Sequence, residues 1–153
     1  MTEFEPRLDE CISKHNFFSL DVTVVADCNG VNSDNKTVNR YTKTLNTLNF
    51  PEDYDAGQIC TWALRVPMQK RLKLGTFNYI IEDDVSCAGS CCYDYLKIYN
   101  GWSAEPENEI TSLCGKGTQE AITSNGTDIL IKFKSDKEIT KSGFQIQYEI
   151  INI

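Results

Sequence analysis

Apolar and polar side chains alternate along much of the chain, and this alternation is the clearest structural signal in the sequence. It runs through residues 59–66 and 143–150, and shorter stretches repeat it at 72–74, 96–98 and 129–133. A period of two residues is typical of a β-strand that buries one of its faces. The pattern therefore predicts several short, half-buried strands and very little helix.

Turn-forming residues separate these predicted strands. They include Asn100-Gly101, Asn125-Gly126, Ser142-Gly143 and the glycine-rich stretch 114–117. Glycine and asparagine supply the positive backbone angles that tight turns require. Many short strands joined by such turns predict an all-β fold, in which two antiparallel sheets form a β-sandwich.

Two regions lie outside the strand pattern. Residues 29–43 are polar and are predicted to form a long loop, and the first 18 residues are weakly patterned and are predicted to be an extended arm. We therefore expect residues 1–27 to be an N-terminal extension or extra strands. Residues 28–153 are expected to form the domain itself.

The charge balance narrows the possible partners. The chain carries 22 acidic and 15 basic side chains, a formal net charge of −7. A polyanion would be repelled at long range, so nucleic-acid binding is not expected. Membrane insertion is not expected either, because no apolar stretch approaches the roughly 18 residues that a spanning helix needs.

The cysteine content indicates an oxidising compartment. Seven cysteines are present, and two glycosylation sequons begin at Asn35 and Asn125. This combination predicts a secreted glycoprotein with disulfide bonds. A zinc protein is not favoured, since there is no Cys-x-x-Cys pair and His15 is the only histidine. An odd number of cysteines leaves one free or bonded to another chain, so a homo-oligomer is possible.

One segment concentrates negative charge. Residues 74–96 contain no lysine or arginine, but they contain four carboxylates: Glu82, Asp83, Asp84 and Asp94. Asp136 would join them from a later loop. Calcium binds six to eight oxygen atoms from carboxylates, backbone carbonyls and water, so this set indicates a Ca²⁺ site. The alternative is an acidic loop that is simply hydrated.

The order of motifs along the chain resembles a known family, the CUB domain. The motifs occur in sequence across residues 28–150: FPEDYDAGQICTW (50–62), Glu82, CCYDYLKIYNG (91–101), LCG (113–115), FKSD (133–136) and GFQIQY (143–148). The resemblance implies a jelly-roll β-sandwich that is found in extracellular proteins.

The resemblance also implies two disulfide bonds, Cys28 with Cys60 and Cys91 with Cys114. Cys92 is an alternative partner for Cys114, because neighbouring residues on a strand point to opposite faces and only one of the two faces inward. The sequence leaves this choice open.

Three cysteines, Cys11, Cys87 and Cys92, are additional to the family pattern. Cys87 can pair across the short turn of residues 88–90, and Cys11 can attach the N-terminal arm to the domain. The sequence does not choose between these pairings.

The resemblance sharpens the metal prediction to Glu82, Asp94 and Asp136, with Asp83 as the alternative to Glu82. Calcium-binding members of the family present such groups to a basic side chain, often lysine, of a protein partner. Tyr54 matches a tyrosine that lines this contact. The implied partner-binding residues are thus Tyr54, Glu82 and Asp94, and the implied partner is an extracellular protein that presents Lys or Arg.

Two other functions are weighed against this one. Stand-alone family members can bind glycans, and Trp102 or Tyr99 could stack on a sugar ring; the net acidity disfavours a sulfated glycan. An enzyme is not expected: nothing sets the pKa values of Glu82 and Asp94 apart, as an acid–base pair requires, and no nucleophile motif is present.

Overall fold

Two antiparallel β-sheets packed face to face contain about half of the residues that the structure describes. The computed structural model describes residues 21–153. This arrangement confirms the predicted all-β sandwich. In chain order its strands are β1 (Thr23–Cys28), β2 (Val31–Asn32), β3 (Val38–Asn39), β4 (Thr44–Asn46), β5 (Ile59–Arg65), β6 (Lys70–Leu74), β7 (Phe77–Ile81), β8 (Tyr95–Asn100), β9 (Glu109–Leu113), β10 (Gly115–Gln119), β11 (Ile122–Thr123), β12 (Asp128–Lys134) and β13 (Gly143–Asn152).

The first sheet has six strands in the order β2-β1-β5-β12-β8-β9. Strands β5 and β12 lie at its centre and pair along their whole length, from Ile59 opposite Lys134 to Arg65 opposite Asp128. The Arg65 guanidinium forms an ion pair with the Asp128 carboxylate, at 2.6 Å between Nε and Oδ1. The loop before β5 contains Tyr54, and the loop after β12 contains Asp136.

The second sheet is organised around β13. This ten-residue strand pairs with β7 near its start, with β4 in its middle and with β6 over residues 148–152. Strand β10 pairs with β7, β3 with β4, and β11 with β6. The alternation predicted for residues 143–150 is present, because Phe144, Ile146 and Tyr148 are buried in the core.

Aromatic side chains fill the space between the sheets. Trp62 and Phe133 each meet Phe144 edge to face, with ring centroids 5.8 Å and 5.7 Å away. Tyr54 meets Phe133 in the same manner at 4.8 Å. Edge-to-face pairs at these distances are favourable beyond the area that they bury. The core therefore extends to the loop that contains Tyr54.

The prediction of one exposed face for residues 59–66 is wrong. The outward-facing Thr61 and Ala63 are only 4% and 1% exposed. Ala63 packs with Val25, Leu130 and Tyr99 in a second, smaller apolar cluster. Strand β5 lies in the middle of its sheet, and side chains from the other strands of that sheet cover its outer face at Ala63.

The prediction of a long loop for residues 29–43 is also wrong in part. This segment contains β2, then a four-residue helix, α1 (Asp34–Thr37), then β3, and a turn follows at residues 40–43. The Thr37 hydroxyl donates to the Ser33 carbonyl oxygen at 2.9 Å and accepts the Trp62 indole N–H at 3.0 Å.

Within residues 21–153, no helix is long and apolar enough to cross a membrane.

The expected domain boundary at residue 28 falls at the end of β1. Residues 23–28 lie between β2 and β5 and belong to the first sheet. Cys11 and His15, with most of the predicted N-terminal extension, lie outside the residues that the structure describes.

Three disulfide bonds join the six cysteines that lie within residues 21–153. Cys28 bonds to Cys60, and these residues lie opposite one another on β1 and β5. Cys91 bonds to Cys114, as the resemblance implied. Cys87 bonds to Cys92 across the turn at residues 88–90, so Cys92 does not take the place of Cys91.

The buried bond between Thr37 and Trp62 gives a test of the fold. Thr37→Val keeps the side-chain shape but leaves the buried indole N–H without an acceptor, which should lower the free energy of unfolding by about 1–3 kcal/mol. Urea denaturation measures this change. Thr123→Val, at an exposed position, is the matched control. Equal stability of the two variants would contradict the structural role of Thr37.

Candidate metal centre

Three carboxylates that are far apart in sequence meet at one tip of the sandwich. Glu82 follows β7, Asp94 precedes β8 and Asp136 follows β12. One oxygen from each lies within 4.8 Å of the other two. Glu82 is 5% exposed and Asp94 is fully buried, whereas Asp136 is partly exposed. The structure thus brings together the three residues that the resemblance implied.

Tyr54 connects two of these carboxylates. Its hydroxyl donates to Asp94 Oδ2 at 2.5 Å and accepts the Glu82 backbone N–H at 3.1 Å. The Tyr54 backbone N–H donates to the Lys141 carbonyl oxygen at 2.9 Å. Only 2% of the tyrosine is exposed. Tyr54 therefore lies beneath the acidic surface, where it positions Asp94, and its ring adds almost nothing to the exposed contact area.

Backbone and side-chain hydrogen bonds hold Asp136 in place. Its N–H donates to Asp94 Oδ1 at 2.7 Å, and its carbonyl oxygen accepts the Gly57 N–H at 2.7 Å. The preceding residue, Ser135, is buried; its hydroxyl accepts the Gln58 N–H at 2.9 Å and donates to the Asp55 carbonyl oxygen at 2.7 Å.

Ser135 is a positioning residue that the sequence reasoning missed. The one available signal was its place before the aspartate in the FKSD motif. Its partners lie 77 and 80 residues away along the chain, so local sequence gives no indication of these bonds.

The cluster concentrates negative charge. In the part of the chain that the structure describes, no lysine or arginine forms an ion pair with Glu82, Asp94 or Asp136. Burial and the two neighbouring carboxylates raise the pKa of Glu82 to about 7. Burial also raises the pKa of Asp94, although hydrogen bonds from Tyr54 and from the Asp136 N–H act in the opposite direction.

Glu82 has an unsatisfied atom. Its Oε1 is buried and has no hydrogen-bond partner, and within residues 21–153 it is the only buried side-chain nitrogen or oxygen of this kind. Buried polar atoms almost always have a partner, and leaving one without a partner is costly. An unpartnered oxygen beside two more carboxylates provides the hard oxygen ligands that Ca²⁺ prefers.

Asp83, the alternative to Glu82, is not part of this cluster. Its exposed side chain lies against Gly115, whose backbone has a φ of +79°. A Cβ atom at Gly115 would lie 3.1 Å from Asp83 Oδ2, so glycine permits this close approach.

The aromatic residues considered for sugar stacking have other roles. Tyr99 is 5% exposed and packs in the outer apolar cluster, so the idea that it stacks on a sugar is wrong. Trp102 is 37% exposed, but the Arg65 guanidinium lies 5.4 Å from its ring centroid and covers one face.

The side chains of Asn35 and Asn125 are exposed, and their glycosylation stays a prediction.

Comparison with known proteins identifies the family. The family model of the CUB domain matches residues 32–148. The chain belongs to the CUB domain family. The match contains all four residues of the carboxylate and tyrosine network: Tyr54, Glu82, Asp94 and Asp136.

Curated relatives of this CUB domain are longer proteins. Human tumor necrosis factor-inducible gene 6 protein is 31% identical to this chain in a matched region that spans 80% of this chain and 40% of that protein. Human procollagen C-endopeptidase enhancer 1 is 30% identical over 71% of the chain, which covers 23% of that protein. Exoskeleton protein RP43 of Riftia pachyptila is 38% identical over 60% of the chain, which covers 21% of that protein. The chain thus spans less than half the length of these relatives.

Solved structures agree with the fold. The MASP-1 CUB2 domain bound to Ca²⁺ matches with a TM-score of 0.56 and 25% identity, over 73% of this chain and 94% of that one. The CUB1-EGF-CUB2 region of human MASP-1/3 matches with a TM-score of 0.60 and 24% identity, over 72% of this chain and 41% of that one.

These comparisons fix the general class of function. The relatives are extracellular proteins, and CUB domains are modules that mediate interactions between proteins. Nothing in the comparisons points to catalysis.

The double role of the Tyr54 hydroxyl can be tested by removing it. Tyr54→Phe should lower the free energy of unfolding by about 1–3 kcal/mol, because Asp94 loses a buried donor and the Glu82 N–H loses its acceptor. Chemical denaturation gives the value. Tyr41→Phe, at a fully exposed tyrosine, should leave stability unchanged. A Tyr54→Phe variant as stable as this control would show that the hydroxyl does not hold the site together.

Proposed function

We propose that this CUB domain binds Ca²⁺ through Glu82, Asp94 and Asp136, and that the acidic surface so organised binds a basic side chain of an extracellular protein. The observation that carries the proposal is the buried, unpartnered Glu82 Oε1, which lies among two further carboxylates. A bound divalent cation would satisfy this oxygen and offset the repulsion between the three groups.

The surrounding structure supports a preformed cation site. The Asp94 carboxylate accepts the Tyr54 hydroxyl and the Asp136 N–H, and Asp136 Oδ1 accepts the Glu138 N–H at 3.1 Å, so little ordering is left for binding. The solved MASP-1 CUB2 domain, which has the same fold, is bound to Ca²⁺. Backbone carbonyls and water would complete the six to eight ligands that calcium takes.

The chemistry of the exposed surface supports a basic partner. Asp136 is partly exposed, so it can present oxygen to solvent while Glu82 and Asp94 face inward. A lysine ammonium is a compact charge with three donors, which suits a group of carboxylate oxygens. The net charge of −7 would also draw a basic partner toward the domain. A single contact of this kind is weak, so tight binding requires a second contact or several copies of the domain.

Calcium should stabilise the domain. At a Ca²⁺ concentration one hundred times the Kd, the stabilisation should be about 2.7 kcal/mol. For a chain of this size that is a rise in Tm of roughly 5–10 °C, measured by differential scanning calorimetry with calcium and with chelator.

Variants of the ligands separate binding from nonspecific stabilisation. Glu82→Gln, Asp94→Ala and Asp136→Ala should abolish the calcium-dependent rise in Tm. Asp53→Asn, at an exposed carboxylate outside the cluster, should keep it. A wild-type Tm that is indifferent to chelator, or a rise that survives all three ligand substitutions, would overturn the calcium proposal.

Basic recognition should depend on calcium. A capped peptide with one lysine should shift amide resonances near Asp136 in an NMR titration with Ca²⁺, and these shifts should be lost with chelator. The same peptide with an Nε-acetylated lysine lacks the positive charge and should produce no shifts. Equal shifts from the two peptides would contradict recognition of a basic side chain.

A further inference from the structure

An apolar cleft opens beside the three carboxylates. It has a volume of about 570 Å³, and its lining includes Ile59, Tyr93, Lys134, Asp136 and Lys137. Asp136 also belongs to the carboxylate cluster. The cleft and the acidic site are therefore adjoining parts of one surface.

Two large apolar side chains face this cleft and stay accessible to solvent. Ile59 is 47% exposed and Tyr93 is 41% exposed. Ile59 begins β5, opposite Lys134 on β12, and its backbone N–H donates to Asn29 Oδ1 at 2.7 Å. The core does not use this isoleucine side chain, which leaves it available to an apolar group from outside.

Tyr93 connects the cleft to the acidic site. It directly precedes Asp94 in the chain, and its hydroxyl donates to Asp84 Oδ2 at 3.4 Å. The tyrosine therefore lines the cleft immediately beside a proposed calcium ligand.

We propose that this cleft receives an apolar side chain from the same partner segment that supplies the basic side chain, at a position two residues away. The inference rests on the proposed function and names the partner more closely. In an extended segment, residues i and i+2 face the same side and lie about 6.4–6.8 Å apart. Two adjoining subsites on one surface suit such a pair, so the recognised sequence is basic-x-apolar or apolar-x-basic.

The charged groups that line the cleft balance one another. Lys134 and Lys137 lie there together with Asp136 and Glu138. A second basic side chain would meet like charge from the lysines as well as opposite charge from the carboxylates, so it gains no net attraction there, whereas an apolar side chain gains by leaving water. The surface therefore distinguishes an apolar neighbour of the basic residue from a run of basic residues.

A peptide series tests this specificity. Capped peptides would contain Lys-Ser-Leu, Leu-Ser-Lys, Lys-Ser-Ser, Lys-Ser-Lys or Ser-Ser-Leu between glycines, and the Kd of each would be measured by NMR titration in Ca²⁺. At least one peptide with leucine two residues from lysine should bind about tenfold more tightly than Lys-Ser-Ser, since leucine leaves water on binding. Ser-Ser-Leu and Lys-Ser-Lys should gain no such advantage.

Substitutions of residues that line the cleft test whether the cleft causes the preference for leucine. Ile59→Ser and Tyr93→Ser should remove the preference for leucine while keeping the calcium-dependent rise in Tm and the affinity for Lys-Ser-Ser. Met68→Ser is the matched control, because Met68 is 85% exposed and lies beyond the opposite end of β5. This control should retain the preference.

The outcomes separate this inference from the proposed function. If all the peptides that contain lysine bind equally in Ca²⁺, or if the leucine preference survives both cleft substitutions, the inference is overturned and basic recognition stands. If Ser-Ser-Leu binds as tightly as Lys-Ser-Leu, the cleft acts alone and the paired motif is overturned. If no peptide with lysine binds in Ca²⁺, the proposed function fails, and the inference fails with it.

Discussion

The buried carboxylate of Asp94 is the constraint on which the tip of this sandwich depends. A carboxylate with no solvent exposure is costly unless its oxygens are hydrogen-bonded. Here one oxygen accepts the Tyr54 hydroxyl and the other accepts the Asp136 N–H. These two bonds join segments that are 40 and 42 residues away in the chain. Because one buried charge needs these hydrogen-bond donors, three separate loops meet around it.

The sandwich makes this convergence possible. Strands β5 and β12 are paired throughout, so the loops at Gln58 and Ser135 begin from fixed positions, and reciprocal hydrogen bonds continue the pairing beyond the strand ends. The Tyr54 ring packs on Phe133, which ties the site directly to the aromatic core. The scaffold therefore orders these carboxylates, and the cost of ordering them belongs to folding.

The sequence predicted those features that follow from short-range patterns. Strict alternation was sufficient to predict the strands at residues 59–66 and 143–150. The resemblance to the family's motifs identified Glu82, Asp94 and Asp136 as candidate metal ligands. Burial that arises from distant contacts was not predictable in this manner. Thr37 is buried because it accepts a bond from Trp62, 25 residues away, although its own segment is polar. Thr61 is buried because its strand lies in the middle of a sheet, which a single strand pattern does not reveal.

The acidic tip differs from the rest of the described structure in the hydrogen bonding of its buried polar atoms. Elsewhere in residues 21–153, every buried side-chain nitrogen and oxygen has a hydrogen-bond partner, and Glu82 Oε1 is the exception. A sequence selected only for stability would not keep three carboxylates at this spacing, since replacing one by an uncharged residue would relieve the repulsion. Proteins break such rules mainly at functional sites, where a ligand provides what the chain lacks. The missing partner of one buried oxygen is therefore the feature that the proposed cation would explain, since a compact positive charge can bind several carboxylate oxygens at once.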